Sequence, residues 1–110
     1  MEVFWDAASR EHIAKHGVMP EEVDHVLAHS RPPFPQQIGG GKHRVLGQTR
    51  AGRFLQVIFV YRSIDTLDWQ TLDWEDRLAL LEEEAEEVVH VIHARELTSR
   101  EKHALRQRLR

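Results

Sequence analysis

The chain has no cysteine among its 110 residues, which excludes a disulfide framework, a thiolate nucleophile and any cysteine-ligated zinc. It has no apolar run approaching the roughly 20 residues that cross a bilayer. Its opening, Met1-Glu2-Val3-Phe4-Trp5-Asp6, places no basic segment ahead of an apolar one, so no signal peptide is expected. Gly39-Gly40-Gly41-Lys42 lacks the spacing and the following Ser or Thr of a phosphate loop. These absences lead to the expectation of a cytoplasmic protein with no membrane partner.

What is present fits one globular domain, 1–110. An apolar fraction of 41% and a charged fraction of 30% are ordinary for a chain that folds around a single core. The net charge of −3 hides a strong asymmetry. Residues 65–87 hold ten acids and one base, Arg77, for a net −9, while the remainder carries +6. A basic body with an acidic insertion suits a polyanionic partner such as RNA or DNA, although a mixed, solvated surface has the same composition.

The pattern predicts an α+β fold with two N-terminal helices, a small antiparallel sheet and a basic C-terminal helix. Asp6 can cap a helix running to about His16 and stopped by Gly17. A second helix begins at Pro20, with Glu21 and Glu22 at its positive end and Val23, Val26 and Leu27 facing inward. Arg31-Pro32-Pro33-Phe34-Pro35 forces an extended exit, and Gly39-Gly40-Gly41 reads as a flexible connector. A hairpin follows: His43 to Arg50 and Arg53 to Arg62, joined by Ala51-Gly52. Val88 to Arg95 is a third strand, with Val88, His90, Ile92 and Ala94 on one face and Val89, Val91, His93 and Arg95 on the other. Thr98-Ser99-Arg100-Glu101 is a capping box opening a helix with Leu105 and Leu109 inward.

The insertion duplicates Thr-Leu-Asp-Trp at 66–69 and 71–74, then turns helical with Leu78, Leu81 and Ala85 as its expected stripe. Trp69 and Trp74 need apolar cover from this domain or a partner. Opposite net charges predict that the arm lies against the basic sheet or closing helix and lowers affinity for RNA.

Several segments in order resemble the BrnT family of ribonuclease toxins from bacterial type II toxin–antitoxin pairs. They are Trp5-Asp6, Lys15-His16-Gly17-Val18, Glu21-Glu22-Val23, Arg44-Val45-Leu46-Gly47, Gly52-Arg53 and Val91-Ile92-His93-Ala94-Arg95 leading into the Glu101 helix. Residues 30–42 and 64–87 lie outside the resemblance. It implies a RelE-like fold and a metal-independent endoribonuclease without cofactor. It also implies neutralisation by a cognate antitoxin, a small DNA-binding protein; the expected assembly is a homodimer or a toxin–antitoxin hetero-oligomer. The chain departs from the family pattern at Ser9 and His12, where Lys and Asn are usual, at His93, where Ser is usual, and in its long insertion.

Of the candidate residues, Arg95 cannot act as a base and would clamp a phosphate with its fork, unless a salt bridge holds it. His93 lies two residues away, about 7 Å along the strand, and is the natural proton shuttle. Arg62 joins them as a catalytic candidate, while Arg44, Arg50, Arg53 and Lys102 are RNA-binding candidates. His12/His16 and His25/His29 have chelating i, i+4 spacing, but no third ligand is evident, so no metal site is expected. Two alternatives on the same fold stay open: an inactive interaction module and a DNA- or RNA-binding regulator.

Overall fold

The computed structural model describes residues 3–82, 84 and 86–108. Leu109, expected to face inward, and Ala85, expected on the apolar stripe of the insertion's helix, lie outside the described residues.

The N-terminal segment forms a two-residue strand, β1 (Val3–Phe4), before α1 (Ala7–Ala14) and α2 (Pro20–Ala28). Asp6 caps α1 as expected: the Ser9 N–H donates to Asp6 Oδ1 at 2.7 Å and the Asp6 N–H donates to Ser9 Oγ at 3.0 Å. The helix ends two residues before His16. The Val18 N–H returns to the Ile13 carbonyl at 3.2 Å, and Gly17 takes a φ of +69° that other residues adopt at a cost. Pro20 opens α2, and Glu22 accepts from the Met19 N–H at 3.1 Å.

Four further strands follow: β2 (Gln36–Gly39), β3 (Lys42–Gln48), β4 (Phe54–Ser63) and β5 (Glu87–Glu96). Gly39-Gly40-Gly41 is the tight turn of the β2–β3 hairpin rather than a loose connector, with all three φ angles positive. Sheet order is β1-β5-β4-β3-β2. The sheet is mixed, not wholly antiparallel, because β1 runs parallel to β5 through Val3–Val89 and Phe4–His90.

Helices α1 and α2 cover one face of this sheet. Ile13, Val18, Val23 and Val26 pack against Val45, Leu55, Val57, Phe59, Val91 and Ala94, all buried. Gly47 allows the close approach of α2: a Cβ there would stand 3.0 Å from Val26 Cγ1.

Between β4 and β5 the acidic arm makes two single-turn 3-10 helices (Ile64–Thr66 and Trp69–Thr71) and then α3 (Trp74–Glu82). A second core seats it, where Leu67, Leu72 and Leu80 bury against Phe4 and Val88 with Trp69 alongside. The inward residue of α3 is therefore Leu80, 3% exposed; Leu78 and Leu81, expected as the apolar stripe of this helix, are 43% and 64% exposed. Apolar contact, not charge, sets the arm's place. Among the described residues its one ion pair to the body is Asp76 with Arg10, at 3.9 Å. Last comes α4 (Ser99–Arg108), with the Thr98–Glu101 capping box formed and Leu105 buried. No described helix is long and apolar enough to cross a membrane.

Candidate functional site

The antiparallel register of β4 with β5 carries one irregularity. Phe59 pairs with Val91 and Ile58 with His93, so Ile92 is an extra residue, a β-bulge. The bulge inverts the alternation expected along β5. Val89, Val91 and Ala94 all face the helices, opposite Tyr61, Phe59 and Val57, whereas Val88, His90, His93 and Arg95 share the other face. The expected grouping of Ala94 with Val88 and His90 is thus corrected. One inserted residue shifts the phase while leaving His93 and Arg95 together.

Register then builds that second face row by row. Lys42, Val60 and His90 form one row, Arg44, Ile58 and His93 the next, and Leu46, Gln56 and Arg95 a third, with Arg62 opposite Val88. The arm covers one end through Phe4 and Val88. Towards the other end, the Arg106 guanidinium of α4 lies 5.7 Å from the Phe54 ring centre. The middle rows, rich in cations and imidazoles, are left between them.

The seven candidates named above divide into two groups. Arg44, Arg62, His93 and Arg95 share this face, whereas Arg50 and Arg53 flank the β3–β4 turn and Lys102 sits on α4. Several of the cations are engaged. Arg53 Nη1 donates to both Glu22 oxygens, at 3.1 and 2.9 Å, and to the Gly17 carbonyl at 3.2 Å, tying the sheet to the α1–α2 connection. Lys102 lies 3.7 Å from Glu96. Arg95 Nη1 and Nη2 each donate to one Glu101 oxygen at 2.8 Å. That hydrogen-bonded fork, helped by the Thr98 N–H, holds the Glu101 carboxyl at a pKa of about 2. Arg62 Nη2 donates to the Thr66 carbonyl at 3.1 Å. Arg44 Nη2 donates to Gln36 Oε1 at 2.8 Å, while its buried Nε has no hydrogen-bond partner among the described residues.

His93 has partners that its own strand does not reveal. β1 pairs with β5 only as far as His90, so the rest of this β5 edge is free of it and α1 packs on β5. The His93 ring centre lies 5.0 Å from His16 and 5.9 Å from His12, which are 5.8 Å from each other. One ring nitrogen from each falls within 4.8 Å of the others. Burial first, then His16, His12 and Arg95 nearby, pushes the His93 pKa below its ordinary value. The fold therefore brings to the His12/His16 pair a third imidazole that the sequence does not reveal. The i, i+4 spacing was the available signal; the approach of β5 to α1 was not visible. His25 and His29 instead stack at 4.1 Å, with His29 Nδ1 at 2.9 Å from the His25 carbonyl.

A cleft of about 620 Å³ between α2 and the sheet includes Glu21, Asp24 and Asp76 in its lining. Its acids do not suit a polyanion. Trp5 Nε1 donates to Asp24 Oδ1 there at 3.0 Å, and burial raises the Asp24 pKa despite that bond.

Fold and site together define a small α+β domain that sets a cationic sheet face beside three clustered imidazoles. No protein-family model, curated protein or solved structure matches the chain.

Proposed function

We propose that this chain is the toxin component of a type II toxin–antitoxin pair: a BrnT-like, metal-independent endoribonuclease on a RelE-like fold, acting in the cytoplasm. The observation that carries the reading is the cluster of His93 with His12 and His16 at the β5 edge, in register with Arg44 and beside the sheet face that carries Lys42 and Arg62. The ordered motifs that resemble the BrnT family support the same reading.

The chemistry needs few parts. The ribose 2′-oxygen attacks the adjacent phosphorus, one group takes its proton, and another protonates the departing 5′-oxygen. The products are a 2′,3′-cyclic phosphate and a free 5′-hydroxyl. Neighbouring imidazoles suit this work, because near neutral pH one can accept a proton while another donates. Arg44 and Arg62 hold the phosphate and the charge that develops on it. Arg95 would reach a phosphate only by giving up Glu101, so its role in this state is to fix the start of α4 against β5.

A stripe of exposed apolar residues on α3, Trp74, Leu78 and Leu81, offers the antitoxin a seat. Trp74 is the most exposed of them, at 68%.

Purified protein incubated with a single-stranded RNA in excess chelator tests the reading. Scission leaving cyclic phosphate ends is expected, slowed about 10²–10⁴-fold by His93→Ala. Intact RNA after incubation with folded protein would overturn it and favour the inactive interaction module.

A further inference from the structure

Among the described residues, one group of three imidazoles converges at a surface-accessible position: His12 and His16 from the α1 end and His93 from the β5 edge. We propose that these three side chains bind one divalent transition-metal ion of the zinc class, with a fourth position left open to water.

Nitrogens on a single tetrahedral zinc, each about 2.0–2.1 Å from the ion, stand about 3.4 Å apart. The ring nitrogens here already lie within 4.8 Å of one another. The remaining closure of about 1.4 Å or less is within reach of rotations about χ1 and χ2, because His12 and His16 are exposed. Ile13, wholly buried between them in sequence, holds this part of α1 against the core, so the two helix-side ligands sit on a fixed base. His93 is likewise fixed by its place in β5. Three neutral imidazoles without a thiolate or carboxylate favour zinc, copper, nickel or cobalt over magnesium or calcium. The Arg95 guanidinium, two residues along β5, is already satisfied by Glu101.

The second histidine pair shows what is missing elsewhere. His25 and His29 have the same spacing, but their rings stack and one His29 nitrogen is turned to a backbone carbonyl. Among the described residues no third ligand joins them.

Binding of the ion does not depend on the ribonuclease reading. Its consequence for cleavage does: a metal on these nitrogens takes the lone pairs that proton transfer requires, so the ion is an inhibitor of that activity.

Titration of the untagged, full-length protein with Co²⁺ tests the site directly, because a tetrahedral cobalt centre has visible absorption bands that hexaaqua cobalt lacks. One equivalent should bind and be displaced by Zn²⁺. His12→Ala, His16→Ala and His93→Ala should each weaken binding about tenfold or more, while His25→Ala/His29→Ala should leave it unchanged. No uptake at stoichiometric concentration overturns the site, and so does uptake that only the His25/His29 variant abolishes. Protein that binds the ion but never cleaves RNA refutes the ribonuclease and leaves the site standing. Protein that cleaves RNA and takes no ion refutes the site alone.

Discussion

The Arg95 guanidinium and the Glu101 carboxylate meet as two forks, each Nη 2.8 Å from a separate carboxylate oxygen. The same carboxylate accepts from the Thr98 N–H at 2.9 Å, so one side chain both ties α4 to β5 and caps the helix. With its folded pKa held at about 2, Glu101 contributes stability that is fully present above the ordinary glutamate range and lost as pH falls from there through about 2. Urea midpoints of the native protein and of Glu101→Gln should therefore differ at neutral pH and converge near about pH 2. A gap that stays constant across that range would remove the ionised carboxylate from the account.

Arg44→Ala and Arg62→Ala should each weaken RNA binding for all sequences and reduce the salt slope by about 1, as expected for phosphate contacts on the sheet face. Arg53→Ala should leave that slope unchanged. It should instead lower stability by about 1 kcal/mol, because it takes the hydrogen-bonded partner from Glu22 and the Gly17 carbonyl. Filter binding at several salt concentrations, paired with denaturation, separates the two effects.

On the arm, Leu80→Ala should cost about 2 kcal/mol and Leu81→Ala less than about 0.5, since Leu80, unlike Leu81, enters the second core. Replacing residues 65–86 with a short Gly-Ser turn should raise RNA affinity and steepen its salt dependence, because ten carboxylates become one, Glu87. Equal affinity and slope in the folded, shortened protein would show that the arm does not compete with RNA.

Gly47→Ala should destabilise by about 1–3 kcal/mol, the usual cost of overpacking a filled core, because Val26 must yield. Val26→Ala in the same chain should recover part of that loss. A double-mutant cycle with no coupling would contradict the close approach of α2 to β3.

Most of the architecture was legible in local patterns: the Asp6 and Thr98 caps, Pro20 at the start of α2, Gly17 after α1 and the apolar β4. Long-range pairing was not. Val3–Phe4 is too short to read as a strand and exists because β5 lies beside it. Gln36–Gly39 has little strand propensity and is held by its turn and by Arg44. Ile92 looks like any strand residue, and only pairing with β4 reveals it as the bulge. The same holds for the site. His93 was legible as a strand imidazole and His12/His16 as a spaced pair, but their meeting depends on α1 packing on β5. Glu101 was legible as half of a capping box, whereas its grip on Arg95 required the strand end to be placed.

The arm leaves and rejoins the sheet at adjacent residues. Ser63 pairs with Glu87, and the Ile64 N–H donates to the Glu86 carbonyl at 2.9 Å. To the sheet, everything between is a hairpin loop whose ends are already joined, and doubling the length of a flexible loop adds only about 0.6 kcal/mol. The position is accordingly a graft point: another segment with neighbouring ends can be spliced in without re-registering β4 on β5. Any appendage exchanged here must still cover Phe4 and Val88, which Leu67, Leu72 and Leu80 now bury.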